Sequence, residues 1–173
     1  NDLESSIKIL KSKKNDLAAV IIEPVLGGGG SIPATKDYLL GMEEFCHKNN
    51  SLFILDEIVT GFRFRYGCLY ETMKLDPDIV TLGKIVGGGF PIGIISGKNE
   101  FMNYANTSTF SKSRRAYIGG GTFSANPLSM IAGNSTLGTI KKKGNKLYQK
   151  LNDFGSETRK MLDKKFAGSV ITT

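Results

Sequence analysis

The 173-residue sequence predicts an α/β domain, on three observations. Residues 17–22, 52–55 and 79–82 are short apolar runs without polar alternation, the signature of strands buried on both faces of a parallel sheet. Segments with helical spacing alternate with them, and the connections are short, as right-handed crossovers require. Each run gives way within two residues to a charged side chain: Glu23, Asp56 and Lys84. In such sheets ligands collect at the carboxyl ends of the strands.

Taken in chain order, residues 2–14 carry Leu3, Ile7 and Leu10 on one side of an amphipathic helix. The first buried strand follows over residues 17–22 and stops at Glu23-Pro24. Four glycines, 27–30, and Pro33 then form a tight, adaptable loop. Thr35 is placed to cap a helix over residues 36–48, where Tyr38, Leu39, Met42, Phe45 and Cys46 recur at helical spacing and Asn49-Asn50 ends it. The second strand, 52–55, ends at Asp56. A turn-rich stretch and a short helical piece near residues 70–74 lead to a third strand, 78–82, ending at Lys84, and residues 92–96 read as a fourth. Long helical patterns run from Asn126 to about residue 143 and from about residue 145 to 166.

Composition narrows the function classes. Nine lysines and arginines against three acids in residues 139–173 account for six of the seven net positive charges. The excess therefore belongs to one C-terminal helical stretch, where a solvated face explains it better than nucleic-acid binding. The apolar runs are too short for a membrane span, and no signal peptide is evident. Two cysteines, Cys46 and Cys68, without CxxC spacing predict reduced thiols and a cytoplasmic location, not a disulfide scaffold or metal site. With His47 as the lone histidine, a zinc centre or a serine–histidine triad is not expected here. The first residue is Asn1 and the last segment is helical, so the chain reads as a fragment.

Asp56 and Lys84 carry the chemistry. The segment Leu55-Asp56-Glu57-Ile58-Val59-Thr60-Gly61 delivers an acid to one strand end. Thr81-Leu82-Gly83-Lys84, followed by Ile85-Val86-Gly87-Gly88-Gly89, delivers an amine to another. An amine can hold an aldehyde covalently, and an acid can keep a ring nitrogen protonated, so the pair looks like a cofactor site. The bland alternatives are a surface lysine and a turn aspartate. Glu57 reads as a supporting acid, and Phe90 and Pro91 as residues that shape the turn after Lys84.

Four segments in order, over roughly residues 17–140, resemble the class III, fold-type I pyridoxal-phosphate aminotransferases. They are Ile22-Glu23-Pro24; residues 55–61; Leu82-Gly83-Lys84 with Gly87-Gly88-Gly89-Phe90-Pro91-Ile92-Gly93; and Gly119-Gly120-Gly121-Thr122-Phe123-Ser124-Ala125-Asn126-Pro127-Leu128. Glutamate-1-semialdehyde aminomutases and their relatives look nearest within the family. The resemblance implies a three-layer α/β large domain with a mostly parallel sheet. Residues 1–138 would be its central and C-terminal part, and 139–173 a basic helical segment leading towards a small domain. It also implies pyridoxal 5'-phosphate as cofactor, bound covalently by Lys84, with Asp56 on the ring nitrogen and Val59 packed on the ring. Thr122 would reach the phosphate of a neighbouring subunit, which makes a homodimer with a shared site. Phosphate-loop and small-domain residues would lie outside this segment, so the segment alone is expected to bind cofactor weakly and catalyse little.

The implied activity is transfer of an amino group from a small-molecule donor to an aldehyde or keto acceptor. Two alternatives stay open: the intramolecular aminomutase reaction of tetrapyrrole synthesis, and a non-catalytic α/β binding domain whose basic helix meets an acidic partner. Ornithine- and γ-aminobutyrate-type members tend to carry a glutamate where this chain has Gly28, which makes those substrates less expected. The loop 27–31 also departs from the usual aminomutase loop.

Overall fold

A computed structural model of the chain describes residues 1–106, 108–117, 121 and 124–167. Its elements are α1 (Leu3–Lys11), β1 (Ala19–Ile22), β2 (Val25–Leu26), β3 (Ile32–Pro33), α2 (Lys36–Lys48) and β4 (Leu52–Asp56). They continue as α3 (Leu69–Met73), β5 (Ile79–Leu82), β6 (Ile94–Gly97), α4 (Asn99–Met102), α5 (Pro127–Lys143) and α6 (Asn145–Lys165). A four-stranded sheet in the order β1-β4-β5-β6 forms the centre. Strands β1, β4 and β5 are parallel, and β6 returns antiparallel to β5, so the sheet is mostly parallel, as expected from the sequence.

One face of the sheet carries the core. Leu39, Met42, Phe45 and Cys46 of α2 meet Phe53 and Leu55 of β4 and Leu75 between α3 and β5, with Leu3, Ile7 and Leu10 of α1 packed behind them. The helices start where their caps dictate: Asp2 accepts from the Ser5 amide and Thr35 from the Tyr38 amide, each satisfying a donor that the first helical turn leaves free.

Three local expectations need correction. Strand β1 is not buried on both faces, since its Ile21 is 60% exposed, and its outer edge pairs with no strand among the described residues. An apolar run reports strand propensity without reporting what covers it. The glycine loop is folded, with β2 and β3 pairing as an antiparallel ribbon around a 3₁₀ turn over Gly27–Gly29. Two-residue strands are too short to leave a periodic signal. The first helix ends at Lys11, three residues earlier than its pattern, and runs into turns over residues 12–16.

Candidate active site

Glu23, Asp56 and Lys84 all lie at the carboxyl edge of the parallel strands: Glu23 one residue after β1, Asp56 as the last residue of β4, and Lys84 two residues after β5. Register explains the convergence. Ile22 pairs with Leu55, and Asp56 with Thr81, so the three strands end level.

Asp56 is held by its own strand end and by its neighbour. Its Oδ1 accepts from the Ile58 amide at 3.0 Å and from the Thr81 hydroxyl at 3.1 Å. Oδ2 has no partner among the described residues and is the oxygen available to a ligand. Asp56 and Glu23 both line an open cleft of about 450 Å³, walled by Ile22, Leu26, Ala34 and Tyr38. Glu23 closes the glycine loop over it, its carboxylate accepting from the Gly27 amide at 3.0 Å. A Cβ on Gly27 would lie 3.0 Å from the Val59 side chain and 3.4 Å from Glu23. Gly27, Val59 and Glu23 therefore form one packed rim beside Asp56, and the Arg63 guanidinium holds the Val59 carbonyl at 2.8 Å.

Lys84 opens a 3₁₀ turn, Lys84–Gly87, with a left-handed backbone at φ 48°. A non-glycine residue held there costs on the order of 1 kcal/mol, which surrounding packing must offset. That packing comes from α5. A Cβ on Gly133 would come within 2.2 Å of the Val86 carbonyl oxygen, and one on Gly88 within 2.4 Å of the Ala132 carbonyl oxygen. Only glycine at both positions lets the turn and the helix touch backbone to backbone. The buried Ser129 hydroxyl of α5 adds a 2.7 Å bond to the Pro91 carbonyl. The Lys84 side chain itself is exposed and without a partner among the described residues.

Glu57, next to Asp56, serves the architecture. It is fully buried, and its carboxylate accepts from the Thr60 hydroxyl (3.0 Å) and from the Leu69 and Tyr70 amides (2.7 and 2.9 Å) at the start of α3. An anion at a helix N-terminus satisfies donors that lack intrahelical partners. Cys68, just before α3, has its thiol pushed up to about 12 by burial and by the Glu57 carboxylate, so it is chemically quiet. Thr122 lies outside the described residues.

The cleft is lined by Asp56 and Glu23 and not by Lys84, which stands at the end of the adjacent parallel strand. An exposed amine there and a carboxylate with one free oxygen are the groups that a cofactor bearing an aldehyde and a basic ring nitrogen needs. Sequence reasoning passed over Thr81, whose hydroxyl reaches Asp56 only because the register sets the two side by side. It also passed over Gly133 and Ser129 of α5, because residues 49 and 45 positions beyond Lys84 carry no local signal of touching its turn or the Pro91 carbonyl that follows it.

The family model for class-III aminotransferases matches residues 2–171 of this chain. A glutamate-1-semialdehyde 2,1-aminomutase of Ignicoccus hospitalis is 36% identical over 174 residues, covering 98% of this chain and 39% of the relative. The enzyme of the same name from Wigglesworthia glossinidia brevipalpis is 42% identical over 152 residues, 88% of this chain and 33% of its own length. Among solved structures, an omega-transaminase from Sphaerobacter thermophilus superposes with a TM-score of 0.83 at 28% identity, covering 95% of this chain and 36% of that one. A transaminase with PLP bound gives 0.82 at 29% identity, covering 96% and 38%. The chain thus spans less than half the length of these relatives.

Proposed function

Because this chain belongs to the class-III aminotransferase family, we propose that it is the cofactor-holding centre of a pyridoxal-phosphate enzyme that moves an amino group from a small amino donor to an aldehyde or keto acceptor. The observation that carries the reading is the delivery of Asp56 and Lys84 to adjacent strand ends in a chain of this family.

In this reading Lys84 would hold the cofactor through its aldehyde, and its amine, once free, would move a proton at the substrate carbon. Asp56 keeps a proton on the ring nitrogen through its free Oδ2. Val59, fixed against Gly27 and by Arg63, supplies an apolar surface for the ring face. Bound there, the pyridoxal ring supplies the electron sink that stabilises negative charge on the substrate carbon. Thr122 contributes a hydroxyl to the phosphate across a homodimer interface, and the enzyme works in the cytoplasm. Among the described residues no helix is long and apolar enough to cross a membrane.

The test is absorbance of the purified full-length protein after cofactor addition. A band at roughly 420 nm is expected of pyridoxal held by a lysine, and Lys84→Ala should abolish it. A protein that lacks this band once unbound cofactor has been removed rules the reading out.

A second reading has its own support. Relatives 36% to 43% identical to this chain are glutamate-1-semialdehyde 2,1-aminomutases. The same residues serve an intramolecular transfer, so the substrate decides. Supplying glutamate-1-semialdehyde without a keto acceptor should yield 5-aminolevulinate if this reading is right, and none if it is wrong.

A further inference from the structure

We propose that Thr81 is a positioning residue for the cofactor, acting through Asp56; the proposal rests on the assignment of Asp56 to the ring nitrogen. A carboxylate on a strand end can rotate about its last bond, and a ring nitrogen is served best when one oxygen points at it. Two donors remove that freedom here. The Ile58 amide, two residues on, holds Oδ1 from the turn, and the Thr81 hydroxyl holds the same oxygen from the neighbouring strand. With Oδ1 occupied twice, Oδ2 is the oxygen left for the ligand.

The hydroxyl is itself well placed by backbone geometry. Thr81 is the register partner of Asp56, and its carbonyl accepts from the Glu57 amide at 3.0 Å. The two strands are therefore bonded to each other at the point where the side-chain bond forms. Thr81 also lies three residues before Lys84 in the same segment. One strand end thus carries both the amine that would hold the aldehyde and the hydroxyl that orients Asp56. A β-branched residue suits the task, since its restricted χ1 keeps the hydroxyl aimed along the sheet.

Thr81→Val keeps the shape and removes the donor, while Thr81→Ser keeps the donor. In the full-length protein, the dissociation constant for pyridoxal phosphate is measured by titration, alongside the thermal midpoint of the cofactor-free protein. Thr81→Val is expected to weaken cofactor binding about five- to tenfold. Its midpoint should stay within about 2 °C, and Thr81→Ser should restore binding. For amino transfer, kcat should fall while KM for the amino donor stays within about twofold. Asp56→Ala serves as the reference. If Asp56→Ala weakens binding and Thr81→Val does not, the role of Thr81 is overturned and that of Asp56 stands. If Asp56→Ala leaves binding unchanged, the Asp56 assignment fails and this proposal fails with it. If Thr81→Val loses binding together with thermal stability and Thr81→Ser restores neither, Thr81 is a packing residue and the proposal is overturned.

Discussion

Two neighbouring acids, Asp56 and Glu57, divide the labour at the end of β4 because a strand sends successive side chains to opposite faces. Asp56 turns towards the cleft and keeps an oxygen free, whereas Glu57 turns inward and spends its carboxylate on the start of α3. Glu57→Ala would leave the Leu69 and Tyr70 amides and the Thr60 hydroxyl without their acceptor. It should destabilise the fold by about 3 kcal/mol, measured by urea denaturation. Thr60→Ala, which removes one donor and leaves the others satisfied, should cost about 1 kcal/mol. A loss no larger for Glu57→Ala than for Thr60→Ala would contradict this account. The same inward direction places the Cys68 thiol beside a carboxylate and keeps it protonated.

At the scale of elements, helix α5 is the support of the lysine turn. Its sequence reads as an ordinary helix, with Asn126 as N-cap accepting from the Leu128 amide and Pro127 in the first turn. Its function in the fold comes from its glycines. Gly133 meets the Val86 carbonyl so closely that a methyl group has no room, while a Cβ added to Gly138 of the same helix would meet nothing within 4 Å. Opposite outcomes follow from identical substitutions. Gly133→Ala should cost about 2 kcal/mol or more through overpacking. Gly138→Ala should gain roughly 0.5–1 kcal/mol through helix propensity. Chemical denaturation of the two variants checks both signs. Helix α6 is tied in at its first turns, where the buried Tyr148 hydroxyl donates to the Phe62 carbonyl at 3.0 Å. That bond fixes the loop that follows Asp56 and Glu57, an 86-residue separation closed by one side chain.

Over the whole molecule, the chain separates a chemical end of the sheet from a structural end. At the amino end of β5, buried Asp78 joins three segments: its carboxylate accepts from the Phe53 amide at 2.8 Å, from Lys98 at 2.9 Å, and lies 3.3 Å from His47 of α2. Burial works to raise Asp78, but the bonds from Lys98 and Phe53 and the nearby positive charges outweigh it and hold the carboxyl below its ordinary value of 3.8. A depressed carboxyl contributes stability that is present above about pH 4 and lost as pH falls through the folded-state value. Asp78→Asn should therefore be less stable than the wild type near neutrality. The difference between the two should shrink as pH drops below about 4. Thermal midpoints across that range measure it, and a constant difference would refute the linkage.

Much of this was legible in the chain. The strand pattern, the cap at Thr35, and the order of Glu23, Asp56 and Lys84 are local properties, written in short windows of residue type and spacing. They determined an α/β sheet with charged groups at its carboxyl edge. What only the tertiary structure decided was which groups touch: Thr81 beside Asp56, Gly133 against the Lys84 turn, Ser129 on Pro91, and Tyr148 on Phe62. These depend on register and on close approach between residues 25 to 86 positions apart. Local propensity and periodicity do not encode separations of that kind; packing, which selects one register and one helix contact among many, does.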